Sequence, residues 1–384
     1  MKKIAIIPLR KGSKGIPGKN KKKIVGRPLF SWVLSEAIFS NLDEVYIYTD
    51  DEEIINYVNR EYAWSSKVKT ALRSEKNAND TASTESVMIE FVENVTTDFE
   101  IFCLLQATSP FTQRKDINAV LKEVLEDHDS ALTVVNTHRF TWNTNGTPQN
   151  YDVFQRPRRQ DFEGLLIENG AIYATTKKAF LETKNRVSGS IGLVHMSEES
   201  LTEIDSMPDW LIVENLLIQR LKREKLQQRI DYLILDVDGV FTDGRVAYNK
   251  NGEDFKVFDM RDGMGLEILR QNNVKVIVLT SENSELVAQR MRKLQIEDTF
   301  LEVKDKYSFL QNYLQTRGIS RGALAYVGDD VNDMANMCSV GWSFAPSNAV
   351  DVIKQNADFV LTNSSGAGAI REVCEWIIKY NIRY

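Results

Sequence analysis

The chain has 384 residues and a formal net charge of −6, with 42% hydrophobic and 27% charged residues. This composition is typical of a globular protein of two or three domains and excludes disordered, collagen-like and coiled-coil chains. Its three widely spaced cysteines exclude a disulfide framework and a clustered zinc site. No apolar run approaches the ~20 residues of a membrane helix, and the run at residues 4–7 is too short for a signal peptide. We therefore expect a cytoplasmic protein that does not enter the membrane.

Positive charge is concentrated at the start of the chain, where residues 1–27 contain ten lysines and arginines and no acid. Such a cluster suits anionic ligands. The rest of the chain is acidic and lacks a basic stripe or an aromatic RNA-binding motif. We therefore expect no nucleic-acid partner.

Apolar runs alternate with helical patterns along the first half of the chain, which predicts βαβ units and a parallel sheet. The predicted strands are residues 4–8, 45–50, 101–106, 131–135 and 169–174, and the predicted helices are residues 28–40, 51–60, 116–127 and 209–228.

The pattern restarts at Ile230. The predicted strands are then residues 231–240, 274–280, 299–303, 323–329 and 340–345, the predicted helices are residues 284–294, 305–317, 331–337 and 367–380, and a hairpin is predicted over residues 245–258. The sequence therefore predicts two doubly wound, three-layer α/β domains, at residues 1–228 and 229–384.

A basic glycine-rich loop, residues 9–20, follows the first predicted strand. Its glycines let the backbone approach a ligand, and successive backbone N–H groups form an anion-binding nest. Arg10, Lys14 and Lys19 add the cations that a triphosphate needs. The loop matches neither a Walker motif nor a dinucleotide fingerprint, and the alternative is a sharp turn with solvated lysines.

Four segments resemble the acylneuraminate (CMP-sialic acid) cytidylyltransferases, which have a nucleotide-diphospho-sugar transferase-like fold. They are RKGSKGIPGKN (10–20), YTDDEEI (48–54), LLQATSPF (104–111) and NGAIY (169–173). The resemblance covers about residues 3–218 and implies transfer of a cytidylyl group from CTP to a nonulosonic acid. It implies contacts to CTP by Arg10, Ser13, Lys14, Lys19, Asn20, Arg73 and Thr84, with Arg10 and Lys19 acting in catalysis and Asp80 shaping the cytidine loop, and contacts to the sugar by Gln106, Arg159 and Tyr173.

An acidic pair near the end of this domain is the candidate metal site. Cytidylyl transfer expels pyrophosphate, and Mg²⁺ orients such a leaving group with carboxylate and phosphate ligands. The family presents D-x-D at this point, where the chain has Glu203 and Asp205. In a strand the two carboxylates would point the same way, and Glu203 would bind the ion directly or through water. The alternatives are a solvated strand edge with two acids, and a metal site at Asp50 and Asp51. Ile167 replaces an arginine of some members, which leaves open how the sugar carboxylate is held.

The segment DVDGVFTDG (236–244) directly follows an apolar strand. It resembles the haloacid dehalogenase (HAD) superfamily, and most closely its branch without a large cap, which includes the KDO 8-phosphate phosphatases. Asp236 would be the nucleophile that forms an aspartyl phosphate, and Asp238 would protonate the leaving alcohol and then activate water. The remaining implied roles are Mg²⁺ binding by Asp236, Asp238 and Asp329, with Asp333 in support, and phosphoryl binding by Thr280 and Lys306.

The residues after Thr280 indicate which sugar phosphate the second domain would accept. Glu282 stands where KDO 8-phosphate phosphatases have arginine, and Lys293 follows eleven residues later. This resembles the KDN 9-phosphate phosphatases, in which such a pair contacts a nine-carbon sugar; the alternative is a glutamate favoured by a helix N-terminus and a surface lysine. In this branch the hairpin stands in for a cap and a neighbouring subunit of a tetramer closes the site.

The sequence therefore predicts a bifunctional, Mg²⁺-dependent enzyme of sialic acid biosynthesis. One domain would join CTP to a nonulosonic acid, with KDN as the expected acid, and the other would release that acid from its 9-phosphate. We also expect a homotetramer through the phosphatase domain, with dimer contacts through the transferase domain. The alternatives are a KDO-type pathway, a CTP-sensing regulator, and a chain in which one domain is degenerate and serves only in binding or tetramerisation.

Overall fold

The computed structural model describes residues 1–13, 15–79 and 81–384. The chain forms two compact units: unit 1 comprises Met1–Lys23 and Pro28–Val213, and unit 2 comprises Ile24–Arg27 and Glu214–Tyr384. This division falls within the helix Met207–Arg223. The domain boundary expected after residue 228 stays a prediction.

The elements are numbered here in chain order. The strands are β1 (Lys3–Leu9), β2 (Lys23–Ile24), β3 (Arg27–Pro28), β4 (Glu44–Thr49), β5 (Val68–Leu72), β6 (Ile101–Leu105), β7 (Ser130–Thr137), β8 (Leu165–Thr176), β9 (Ile191–His195), β10 (Tyr232–Leu235), β11 (Ala247–Asn249), β12 (Gly252–Phe255), β13 (Lys275–Leu279), β14 (Asp298–Phe300), β15 (Leu324–Val327), β16 (Trp342–Ala345) and β17 (Phe359–Val360). The α-helices are α1 (Leu29–Ile38), α2 (Glu52–Glu61), α3 (Thr84–Asn94), α4 (Arg114–Glu126), α5 (Lys177–Thr183), α6 (Met207–Arg223), α7 (Met260–Gln271), α8 (Glu285–Lys293), α9 (Lys306–Arg317), α10 (Met334–Met337), α11 (Asp351–Asn356) and α12 (Ala369–Asn381).

The main sheet of unit 1 has the order β5-β4-β1-β6-β8-β7-β9. Strand β1 pairs in parallel with β4 and β6, as the alternating pattern predicts. Strand β8 is antiparallel to both β6 and β7, so the sheet is mixed and not wholly parallel. The reason lies in the connection: the described residues 138–164, between β7 and β8, contain no α-helix, and a parallel return would need such a crossover.

Strand β1 is buried on both faces. Ala5, Ile7 and Leu9 belong to one apolar cluster, whereas Ile4 and Ile6 belong to another that includes Phe91 and Phe102. A strand covered on both faces reads as a continuous apolar run, which explains the sequence IAIIP.

The sheet of unit 2 has the order β14-β13-β10-β15-β16-β17. All of its paired neighbours are parallel. Strand β10 lies between β13 and β15, so the residues that follow these three strands meet at one edge of the sheet. Ligands of open α/β sheets bind at such an edge.

Helix α7 is an element that the sequence patterns did not predict. Gly263 and Gly265 interrupt its pattern, and glycine disfavours helix interiors. In the structure a Cβ added at Gly265 would lie 3.2 Å from the Cα of Arg371 in α12. These small residues therefore serve close helix packing. Helix α6 also differs, because it ends at Arg223 and not at residue 228.

The three cysteines, Cys103, Cys338 and Cys374, are buried and free. This agrees with the expectation that the chain has no disulfide framework. Among the described residues, every helix is too short or too polar to span a lipid bilayer.

Candidate active sites

Seven residues predicted to bind nucleotide or sugar line one cavity of about 320 Å³ in unit 1. They are Arg10, Ser13, Lys19, Asn20, Arg73, Thr84 and Gln106. Arg10, Arg73 and Gln106 directly follow β1, β5 and β6. The cavity therefore lies at the carboxyl edge of the parallel strands, beside the point where the strand order reverses.

The loop after β1 is held by its own polar contacts. Asn20 Nδ2 donates a hydrogen bond to the Arg10 carbonyl at 3.1 Å. Lys19 Nζ donates to the Ile204 carbonyl at 2.6 Å and lies 3.4 Å from Asp205 Oδ1. At Gly15 a Cβ would lie 2.1 Å from the Asp205 carbonyl oxygen, so glycine permits this approach. Lys14 and Asp80 lie outside the described residues.

Arg73 is the most buried cation of this cavity, with 8% of its surface exposed. Its guanidinium donates to the Asn77 carbonyl, while its Nε is buried with no hydrogen-bond partner among the described residues. Burial lowers the pKa of Arg73, but an arginine remains charged in proteins. A buried guanidinium with a free donor at a cavity wall fits an anionic or carbonyl-bearing ligand.

Glu90 anchors the loop that follows Arg73. It accepts hydrogen bonds from Tyr48, Asn77 and the backbone and side chain of Ser74. Burial opposes its ionisation, but these hydrogen bonds prevail and lower the pKa of Glu90 to about 2. Glu90 therefore stays a carboxylate and orders residues 74–77.

Of the three residues predicted to contact the sugar, one lines the cavity. Gln106 lines the cavity, whereas the described lining of the cavity includes neither Arg159 nor Tyr173. The Tyr173 hydroxyl donates to Glu168 at 2.9 Å, and burial together with that carboxylate raises the pKa of Tyr173 to about 12. Arg159 is exposed in a short 3-10 helix, Arg159–Asp161. The sugar contacts of these two residues stay predictions.

Glu203 and Asp205, the candidate metal ligands of unit 1, were expected in a strand, but the structure places them outside any strand. Residues 202–205 are irregular, between a 3-10 helix and α6. Ile204 is fully buried, while Glu203 and Asp205 are both exposed. Both acidic residues are thus exposed on either side of a buried anchor, Ile204. Carboxylate oxygens suit Mg²⁺, so the pair fits the ion.

The alternative acid Asp51 has another role. Its side chain caps α2 by accepting from the Glu53 backbone N–H, and it lies 2.9 Å from Lys21 Nζ. Asp51 is buried and structural, so it is a poorer metal candidate than the exposed Asp205.

In unit 2, Asp236 directly follows the central strand β10. Its Oδ2 lies 2.8 Å from Lys306 Nζ, and its Oδ1 accepts from the Val237 backbone N–H at 2.7 Å. Lys306 Nζ also lies 2.8 Å from Asp333 Oδ1, and both side chains are fully buried. Burial opposes the charge on Lys306, but the two carboxylates outweigh burial and raise its pKa. Lys306 therefore links Asp236, at the end of β10, to Asp333.

Three carboxylates of this centre lie within reach of one ion. Oxygens of Asp236, Asp329 and Asp333 are all within 4.8 Å of one another. Burial, with the neighbouring carboxylates, raises the pKa of Asp236 to about 7 and that of Asp329 to about 8. Asp329 Oδ1 is buried with no hydrogen-bond partner among the described residues. One ammonium does not balance three carboxylates, so the donor set fits a divalent cation.

Asp238 lies outside the group of three carboxylates, and its role as a metal ligand stays a prediction. Its carboxylate lies 2.7 Å from the buried Nζ of Lys256, and Asp333 takes its place in the acidic cluster. Lys256 also lies 3.4 Å from Glu253. Sequence reasoning missed Lys256 because a lysine after a hairpin strand looks like any surface lysine.

Thr280 directly follows β13 and is buried, and its contact with the phosphoryl group stays a prediction. Glu282, however, pairs with Lys304 at 3.0 Å. Its predicted partner Lys293 ends α8. The ion pair in this structure is therefore not the predicted one, although both lysines stay candidates for the sugar.

Comparisons with known proteins support both predicted families. The model of the cytidylyltransferase family matches residues 4–202, and that of the haloacid dehalogenase-like hydrolases matches residues 300–373. The chain therefore belongs to the cytidylyltransferase family and carries a second domain of the haloacid dehalogenase-like hydrolase family.

Individual relatives cover one domain or both. N-acylneuraminate cytidylyltransferase B of Danio rerio is 31% identical over 97% of this chain and 90% of the relative, and the A form of the same fish is 30% identical. The 3-deoxy-D-manno-octulosonate 8-phosphate phosphatase KdsC of Haemophilus influenzae is 35% identical over 41% of this chain and 87% of the relative. Both predicted resemblances are confirmed at the level of family.

Proposed function

We propose that the chain is a bifunctional enzyme that makes CMP-activated nonulosonic acids. Unit 1 would join CTP to the acid and release diphosphate, and unit 2 would first free that acid from its 9-phosphate. One observation carries the proposal: each unit gathers its charged residues at the carboxyl ends of its own strands, cations in unit 1 and carboxylates in unit 2.

In unit 1 the cavity residues would divide their tasks by charge. Arg10, Lys19 and Arg73 would bind the triphosphate and hold its α-phosphorus in line for attack by the sugar hydroxyl. Bond formation to that oxygen expels diphosphate, whose charge the same cations stabilise. Mg²⁺ held by Glu203 and Asp205 would supply further charge neutralisation on the leaving group.

In unit 2 the carboxylate of Asp236 would attack the phosphorus and form an aspartyl phosphate while the sugar alcohol leaves. Asp238 would give the alcohol its proton and then take one from the water that hydrolyses the aspartyl phosphate. Lys306 and Thr280 would hold the phosphoryl oxygens. Mg²⁺ at Asp236, Asp329 and Asp333 would shield the carboxylate from the negative phosphate.

The expected substrate is KDN 9-phosphate, because Glu282 replaces arginine beside the phosphoryl site. A KDO-type 8-phosphate is the second candidate, favoured by the KdsC relatives. For assembly we propose a homotetramer through unit 2 with dimer contacts through unit 1, in the cytoplasm.

The test is a phosphate-release assay across KDO 8-phosphate, KDN 9-phosphate and N-acetylneuraminate 9-phosphate, with diphosphate release from CTP measured on the same preparation. We expect the highest kcat/KM with a 9-phosphate and coupling of the matching free acid to CMP. Preference for the 8-phosphate would support the KDO alternative. Absence of one of the two activities would identify that unit as degenerate.

A further inference from the structure

Four residues from the start of the chain belong to unit 2. We call residues Ile24–Arg27 the tip. Ile24 and Val25 are fully buried, and Arg27 is 2% exposed. The Val25 backbone N–H donates to Glu214 Oε1 at 3.0 Å. Unit 2 thus contains a buried segment that is nearly 190 residues away from Glu214 along the sequence.

Arg27 binds the start of α9 through two of its guanidinium nitrogens. Its Nε and Nη2 donate to the two carboxylate oxygens of Asp305, both at 2.9 Å, and Nη2 also donates to Ser308 Oγ at 2.7 Å. The guanidinium carbon lies 4.6 Å from the ring centre of Tyr307. A bidentate fork of this kind fixes orientation as well as distance.

Asp305 is the N-cap of α9, where its side chain accepts from the Ser308 backbone N–H. The next residue, Lys306, is the first residue of the helix and holds Asp236 and Asp333. Arg27 therefore binds the side chain of the N-cap residue Asp305, and the catalytic Lys306 is the next residue along the chain. A shift of the cap would move the Lys306 backbone with it.

The tip also contacts the turn that supplies Asp333. Gly26 has φ +78°, and a Cβ there would lie 1.8 Å from the Val331 carbonyl oxygen and 3.3 Å from the Asn332 Cα. Only glycine both adopts this φ readily and permits this approach. The turn Val331–Asp333 therefore packs directly against the tip backbone.

We propose that the tip is a positioning element of the phosphatase centre: Arg27 orients Lys306 through Asp305, and Gly26 seats the turn that carries Asp333. This inference rests on the proposed phosphatase function of unit 2. The tip precedes the segment matched by the hydrolase family model by more than 270 residues. A phosphatase domain cut from this chain at residue 229 would therefore lack part of its own support.

The test uses full-length variants with matched controls at the other end of α9. Arg27→Ala removes the fork, and its control Arg317→Ala removes an arginine stacked on Tyr313. Gly26→Ala adds a Cβ against Val331, and its control Gly318→Ala adds one at a similar φ, +64°, with no atom within 4 Å. Each protein is assayed for kcat and KM with p-nitrophenyl phosphate and for Tm.

We expect Arg27→Ala and Gly26→Ala to lower kcat by about 10-fold to 100-fold, the scale of small misplacements of catalytic groups. KM should change far less, because substrate contacts remain. Arg27→Lys should recover only part of kcat, since an ammonium keeps the charge but not the fork. Both controls should retain kcat even where they lower Tm.

A purely structural role would give a different result. If kcat of the folded fraction equals the wild-type value in Arg27→Ala and Gly26→Ala, or falls equally in the controls, the proposal is wrong. Should Arg27→Ala not fold, the double variant Arg27→Met with Asp305→Asn removes both buried charges together and keeps a capping side chain. Its kcat should remain low despite a folded state, and a wild-type kcat would overturn the proposal.

Two readouts do not depend on turnover. Amide hydrogen exchange over residues 305–310 should be faster in Arg27→Ala than in wild type, and calorimetric Mg²⁺ affinity should fall because Asp333 is less well held. If the wild type releases no phosphate, the proposed function fails while these two measurements still decide whether the tip orders the centre. Unchanged exchange and affinity would refute the tip's role.

Discussion

The two candidate sites have opposite electrostatic designs. In unit 1, cations line an open cavity and one of them, Arg73, has a buried donor without a partner among the described residues. In unit 2, carboxylates are packed around one buried lysine, with ion pairs already formed. The first site is built to receive an anion, and the second is built around a cation.

This difference predicts how each site responds to change. Several cations share the triphosphate in unit 1, so loss of one should weaken the reaction in a graded way. In unit 2 each buried charge supports the next, and a buried charge that loses its partner is costly. Changes there should be close to all or none.

The largest expected effect is that of Asp236→Asn. The amide cannot act as the nucleophile, so phosphate release should fall roughly 10⁴-fold or more, as for other lost nucleophiles. Cytidylyl transfer should stay near the wild-type value, because its residues belong to unit 1. Both activities are measured on one preparation, and phosphate release at a wild-type rate would exclude the aspartyl-phosphate mechanism.

Removal of the metal should have the second-largest effect on activity. Chelation of Mg²⁺, or Asp329→Asn, should lower phosphatase kcat by about 10³-fold, since such ions contribute several kcal/mol of charge stabilisation. Restored activity after Mg²⁺ is returned to wild type, but not to the variant, would locate the ion. Full activity in excess chelator would contradict a metal centre.

The same cluster predicts a pH dependence of stability. The folded pKa of Asp329, about 8, lies above its ordinary value of 3.8. A raised carboxyl pKa contributes stability at low pH that is lost as pH rises through the interval between these values. Metal-free protein should therefore lose Tm from pH 4 to 8, and Mg²⁺ should raise Tm more at pH 8 than at pH 6. An equal gain in Tm from Mg²⁺ at pH 6 and pH 8 would mean that Mg²⁺ binding does not depend on the ionisation of Asp329.

Arg73→Ala tests the graded response of unit 1. Charge-assisted hydrogen bonds contribute roughly 1.5–3 kcal/mol, so kcat/KM for CTP should fall about 10-fold to 100-fold. Arg60→Ala, on the exposed side of α2, is the control and should be near wild type. A loss as large as that of Asp236→Asn in unit 2 would erase the distinction between the two sites.

Sequence reasoning succeeded where chemistry is local. Asp236 and Asp329 follow apolar strands, so their meeting at one sheet edge follows from topology alone. It failed where the partner is remote: the Asp238–Lys256 pair, the Glu282–Lys304 pair and the Arg27–Asp305 fork depend on packing between distant segments. Helix α7 was missed because Gly263 and Gly265 lower its helix propensity, although Gly265 serves close packing with α12.

The smallest expected effect concerns the sugar, and it has a sharp control. Glu282→Arg should lower kcat/KM for the 9-phosphate several-fold, because Glu282 would contact the leaving sugar and not the phosphoryl group. Turnover of p-nitrophenyl phosphate should be unchanged. The Glu282–Lys304 pair is exposed, and exposed pairs contribute only ~0–1 kcal/mol, so Tm should not move.

Double-mutant cycles of Glu282→Gln with Lys304→Ala and with Lys293→Ala then identify the lysine that works with Glu282. Coupling to Lys304 would support the pair seen here, coupling to Lys293 would restore the predicted pair, and equal losses on both substrates would mean that Glu282 does not contact the sugar.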